Sequence, residues 1–188
     1  MKRLFLNRVL RILLSTNAMI LLAGAMLGPI YALFVEKIGG DLLDVSYAGA
    51  LFALAAGVTT FISGKYSDKI KENELVIVAG YTVMGIGFML YIFVASMIQL
   101  LFVQILIGFG EAIYAPAFDA VYSKHIDERK PGKQWGAWES VNYFTAAAGA
   151  VVGGFIVTWF GFNIMFIIMS LLCFASALYI YKLPRKVL

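Results

Sequence analysis

Charge is scarce in this sequence. Only 14% of its 188 residues are Asp, Glu, Lys or Arg, against about 25% in soluble domains. Cysteine occurs once, at Cys173, and histidine once, at His125. A single cysteine excludes a disulfide frame and a cysteine metal cluster. The lone histidine lies in a charged stretch outside the apolar runs and reads as a solvated loop residue. A histidine-rich metal set and a serine–histidine pair within the apolar runs are therefore excluded. Neither enzyme chemistry nor a cofactor is expected. No stretch of ten residues alternates with period two, which excludes a transmembrane barrel.

What the chain has instead is apolar length. Hydrophobic residues make up 62% of it and the mean hydropathy is +0.87. A soluble fold could not hide that much apolar surface, so an all-α integral membrane protein is expected. A span needs about 20 apolar residues, and six runs qualify: 12–35, 45–63, 75–96, 98–121, 135–159 and 162–181. The third and fourth are nearly fused, with a turn expected at 96–99. The first run is too long for a signal-peptide core and lacks an Ala-x-Ala-like cleavage site. A single six-helix domain over residues 1–188 follows.

The basic residues set the orientation. Of 15 Lys and Arg residues, all but Lys37 fall at the N-terminus, in the loops after the second and fourth spans, or after the sixth. By the positive-inside rule both termini are cytoplasmic. The net charge of +4 is thus a topology signal, with no nucleic-acid partner implied.

Few polar residues interrupt the spans. In the first, Asn17, Gly24, Gly28 and Tyr31 fall within about 60° of one another at 100° per residue. Such a face suits close packing or a cavity. Pro29 frees the carbonyl of Ala25 and bends this helix near its outer end. In the second, Gly49, Ala53 and Gly57 form a small-residue seam for a neighbouring helix. The third contains no ionisable group and is expected at the periphery. In the fourth, Glu111 is a charge near the middle, costing roughly 2.5–3.5 kcal/mol on insertion scales. It must face a cavity, find a partner or be protonated. Gln104, Gly108 and Ala115 share its face, and Pro116 frees the carbonyl of Ala112.

Asp119 and Glu139 lie near the cytoplasmic edge, at the depth of the loop cations Lys69 and Lys133. They are expected to form a charge cluster that latches helix ends in one state and releases them in another. Trp135 and Trp138 would mark the interface. In the fifth span Asn142, Ala146, Gly149 and Gly153 form one stripe permitting close helix contact. The sixth is apolar apart from Ser170 and Ser176 and reads as packing and anchor.

Three stretches resemble the major facilitator superfamily of secondary transporters. Gly64-x-x-x-Asp68-Lys69, in a polar island between the second and third spans, resembles the signature of that family's corresponding loop. Lys71 and Glu72 depart from it where a glycine and a basic residue are usual. Gln104-x-x-x-Gly108-x-Gly110-Glu111-Ala112 resembles the fourth-helix pattern, with Gln104 replacing the arginine tied in many members to proton coupling. Thr145, Gly149, Ala150, Gly153 and Gly154 resemble the fifth-helix motif Gly-x-x-x-Gly-Pro-x-x-Gly-Gly of exporters. Thr145 replaces its first glycine, and Ala150 its proline.

The resemblance implies a six-helix bundle like the N-terminal half of a twelve-helix transporter. It implies alternating access around a site lined by Asn17, Tyr31, Gln104 and Glu111, and a cytoplasmic gating loop of Gly64, Asp68, Lys69, Asp119 and Glu139. It also implies export of a small molecule, with proton antiport through Glu111, from the plasma or inner membrane. If Glu111 moved one charge through the field, the membrane potential would supply about 2.3 kcal/mol per 100 mV. A parallel homodimer, or pairing with a second six-helix half, would complete the architecture. The other reading is a non-transporting membrane subunit that binds a small molecule or assembles with a partner.

Overall fold

The computed structural model describes residues 6–67, 70 and 72–184, and every element it assigns there is helical. Asp68 and Lys69, expected in the gating loop, lie outside the described residues. In chain order the helices are α1 (Arg8–Leu27), α2 (Tyr31–Lys37), α3 (Leu42–Ser67), α4 (Asn73–Leu90), α5 (Met97–Lys124) and α6 (Pro131–Tyr181). A 3₁₀ turn, Gly28–Ile30, joins α1 to α2, and a second, Tyr91–Phe93, follows α4. Taking α1 and α2 together, five of the described helices are long and apolar enough to cross a membrane.

The ends of these helices have local causes. Asn7 caps α1 by accepting a 2.8 Å bond from the Leu10 amide. Pro29 converts one turn to 3₁₀ geometry, the bend expected from its missing donor. Gly39 turns the chain at φ 87°, and Asp41 then accepts from the amides of Leu43 and Asp44 to start α3. The break expected at 96–99 falls slightly earlier. Val94 is already extended, and the Gln99 side chain accepts from the Ala95 amide at 2.8 Å to begin α5.

Helix α6 holds 51 residues. At 1.5 Å per residue that is roughly 76 Å, over twice a hydrocarbon core of about 30 Å. It is broken at Gly161, whose φ of 80° and ψ of 171° suit glycine alone. The arm 131–160 lays Gly149 and Gly153 against Ala25 and Met26 of α1. The arm 162–181 returns, with Phe166 packed on Phe34 and the Ser176 hydroxyl donating to the Thr16 carbonyl at 3.0 Å. The second arm thus runs antiparallel to α1. Its other serine, Ser170, donates to the Gly85 carbonyl of α4 at 2.8 Å, so both serines tie helices together.

Two aromatic clusters close the bundle ends. Phe34, Tyr91, Phe162 and Phe166 pack with ring centroids 4.8–6.0 Å apart at one end. Phe118, Tyr122, Trp135 and Trp138 pack at the other, with centroids 5.0–6.4 Å apart, and the Tyr122 hydroxyl there donates to the Gln134 carbonyl at 2.6 Å. His125 is folded into that end, its carbonyl accepting from the Asn7 side chain at 2.8 Å.

Two expectations about helix placement need correction. Helix α4 is not peripheral. It packs on both α5 and α6, and its Tyr81 is fully buried. The Gly49–Ala53–Gly57 seam of α3 receives no helix among the described residues, and open space lies beyond Gly49 and Gly57. Helix α3 docks on α5 through the neighbouring face instead, where a Cβ at Gly108 would meet the Phe52 carbonyl oxygen.

Candidate functional site

Helices α1, α3, α4 and α5 surround an open cavity of about 390 Å³. Its polar wall is built from Tyr31, Tyr91, Gln104 and Glu111. The Gln104 amide nitrogen donates to the Tyr31 hydroxyl at 2.6 Å, and the Tyr91 hydroxyl donates to the Gln104 oxygen at 3.3 Å. Three elements are joined by this neutral chain: α2, the 3₁₀ turn after α4, and α5. The rest of the wall is apolar or small, including Gly28, Gly49, Phe52, Met84 and Phe88.

Glu111 lies seven residues, or two helical turns, from Gln104 on the same face of α5. It is partly exposed and has no hydrogen-bond or ion-pair partner among the described residues. It also borders a second cavity of about 260 Å³ that runs past Tyr114 to Asn142 and Thr145 of α6. Gly24, Met84 and Glu111 line both spaces, so the carboxyl stands where they meet.

Three of the four expected lining residues, Tyr31, Gln104 and Glu111, are brought together here. Asn17 is not. It is fully buried deeper in the bundle, where it accepts from the Tyr81 hydroxyl at 3.0 Å. Its face of α1 is the expected one, but at this depth the Tyr81 side chain of α4 reaches it. Tyr91, Tyr114, Met84 and Phe88 join the site without having been singled out. Met84, Phe88 and Tyr91 are revealed only by the spatial approach of α4 and its 3₁₀ turn, whereas Tyr114 lies on α5 itself, three residues after Glu111. Asp119 and Glu139 are exposed at the opposite end from the Tyr31–Gln104–Tyr91 chain. Gly64 lies in the last turns of α3 with no atom near enough to crowd a Cβ.

Pro116 sits inside α5 and leaves the Ala112 carbonyl without its helical donor. The Ser63 hydroxyl of α3 takes that donor's place at 2.8 Å, on the residue next to Glu111. Ser63→Ala is expected to cost about 1 kcal/mol in the wild-type chain. In Pro116→Ala the carbonyl regains its own helix, and the cost should largely vanish. Thermal unfolding of the four proteins of this double-mutant cycle measures the coupling; equal costs in both backgrounds would refute it.

A Major Facilitator Superfamily model matches residues 13–187. The chain belongs to that superfamily. Among curated relatives, it is 24% identical over 161 residues to an uncharacterized MFS-type transporter, YitZ, of Bacillus subtilis. That match covers 85% of this chain and 97% of YitZ. It is 23% identical over 176 residues to the multidrug resistance protein MdtG of Yersinia enterocolitica, covering 90% of this chain and 42% of MdtG. The MdtG of Salmonella typhimurium is 24% identical over 186 residues, covering 95% and 45% respectively. The chain thus spans less than half the length of these MdtG relatives and nearly all of YitZ. As a member of this superfamily it is a multi-pass membrane protein of a transporter family.

Proposed function

We propose that this chain is a six-pass half-transporter that moves amphipathic small molecules outward by alternating access, exchanging them for protons at Glu111. The observation that carries this is the cavity wall itself: one carboxyl, without a protein partner among the described residues, set among apolar surface and neutral hydrogen bonds. Such a wall can hold an apolar body and respond to a positive charge. The names of the MdtG relatives support a drug-like substrate.

Six passes are supported by the reversal at Gly161 and by the opposite directions of the two α6 arms. The charge bias supports cytoplasmic ends in a plasma or inner membrane. Two copies then share orientation, and a two-fold axis along the membrane normal can relate them. The open Gly49–Ala53–Gly57 seam and the exposed Tyr143, Phe144 and Phe155 of α6 offer surface for a second half. At the cytoplasmic end, Asp119 and Glu139 with the loop carrying Gly64, Asp68 and Lys69 form the proposed gate.

Purified protein reconstituted alone into liposomes should accumulate ethidium against its gradient when a pH difference is imposed. Native mass spectrometry of the same preparation should give the mass of a dimer. A folded dimer that accumulates none would support the non-transporting subunit instead. A monomer that accumulates none would point to a separate second half.

A further inference from the structure

A separate cavity of about 620 Å³ opens between the start of α1 and the end of α6. It is lined by Arg8, Arg11, Ser15 and Met19 on one side, with Ala175 and Tyr179 on the other. Both arginines are exposed, and no carboxylate lines the space among the described residues. Three residues apart, they share one helix face. They also sit in the first turn or so of α1, which has no acidic residue. That is the positive end of the helix dipole, so their charge is uncompensated there.

Deeper in, the lining turns apolar. From Arg8 to Met19 is eleven residues, or roughly 16 Å of helix, about half of a hydrocarbon core near 30 Å. A basic mouth leading into an apolar furrow one leaflet deep matches a phospholipid better than a soluble anion. We propose that this cavity is a site for an anionic phospholipid of the cytoplasmic leaflet. Its headgroup phosphate is held by Arg8 and Arg11, and an acyl chain lies along Met19 and Ala175. The leaflet assignment rests on the orientation given by the charge bias; the lipid class rests on the two arginines alone. Ala175 is the small residue that keeps the furrow open beside the exposed ring of Tyr179.

The test is native mass spectrometry of the delipidated full chain, titrated with phosphatidylglycerol or phosphatidylcholine of matched acyl chains. Wild type should retain phosphatidylglycerol in clear preference. Each basic group near an anionic headgroup contributes enough for roughly a fivefold effect. R8Q/R11Q should therefore lose the preference by roughly 20-fold or more. R8K/R11K should keep most of it, and its recovery guards against misreading a folding defect. Ala175→Phe, which fills the furrow and leaves the charges, should weaken both lipids. Equal retention of the two lipids by wild type would overturn the proposal. So would an unchanged preference in R8Q/R11Q, or displacement of the lipid by millimolar glycerol phosphate, which would mark a plain anion site.

Discussion

Glu111→Gln should abolish pH-driven accumulation while leaving the protein folded. In reconstituted vesicles, a one-unit pH difference carries about 1.4 kcal/mol per proton exchanged, enough for a tenfold concentration of ethidium. The amide keeps the volume and polarity of the side chain but cannot lose a proton. With glutamine at this position the cavity can still open to either side, so ethidium should equilibrate down its own gradient. Accumulation falls from about tenfold to none. Glu111→Asp, which preserves the acid one bond further back, should retain part of the activity. Undiminished accumulation by Glu111→Gln would remove this carboxyl from the mechanism, whatever else the cavity does. The Tyr31–Gln104–Tyr91 chain provides a contrast. Gln104→Leu breaks two hydrogen bonds without touching the carboxyl. It should affect how tightly the dye is held more than whether protons drive it.

The second large effect concerns adjacent glycines with opposite roles. A Cβ built on Gly153 would run into the Met26 carbonyl oxygen and backbone of α1, which cannot swing aside as a side chain could. A Cβ on Gly154 would meet nothing. Gly153→Ala is thus expected to destabilise by about 1–3 kcal/mol through overpacking. Gly154→Ala should stabilise by up to about 1 kcal/mol through helix propensity. Tryptophan fluorescence during thermal unfolding in detergent reports both, and the two midpoints should move in opposite directions. Gly149→Ala belongs with Gly153, since its Cβ would press on Ala25. Shifts of the same sign at 153 and 154 would show that the seam between α1 and α6 yields more readily than its geometry indicates.

The sequence made the helices legible because the bilayer imposes a length on them. The run 75–96 ends at Ser96, just before α5, while Asp41 and Pro131 start their helices four residues ahead of the runs 45–63 and 135–159. Glu111 was legible because a charge inside an apolar run is an anomaly needing a reason. Gln104 and Tyr31 followed from helical spacing. Periodicity identifies a face but not what covers it, and the misplacements share that cause. Asn17 shares the face of Gly24, Gly28 and Tyr31 on α1, yet the long side chain of Tyr81 on α4 reaches it and donates to its oxygen. The seam on α3 has the composition of a contact, but α5 docks one face over. Of the three motif glycines in α6, two touch α1 and the third, one residue on and 100° around, faces away. Pro116 announced a freed carbonyl, but no local pattern could name Ser63, 49 residues upstream, as its donor.

Among the described residues, Glu111 is the only carboxylate lining either of the two cavities it borders. A single such group can be neutralised by one proton or by one monovalent cation, but not by both at once. An exchange built on that competition is electroneutral. One positive charge leaves for each that enters, so the membrane voltage neither helps nor hinders the cycle, and its direction is set by the pH difference against the substrate gradient. A dication bound there would leave one charge uncompensated and bring the voltage back in. A neutral compound would have no reason to displace the proton at all.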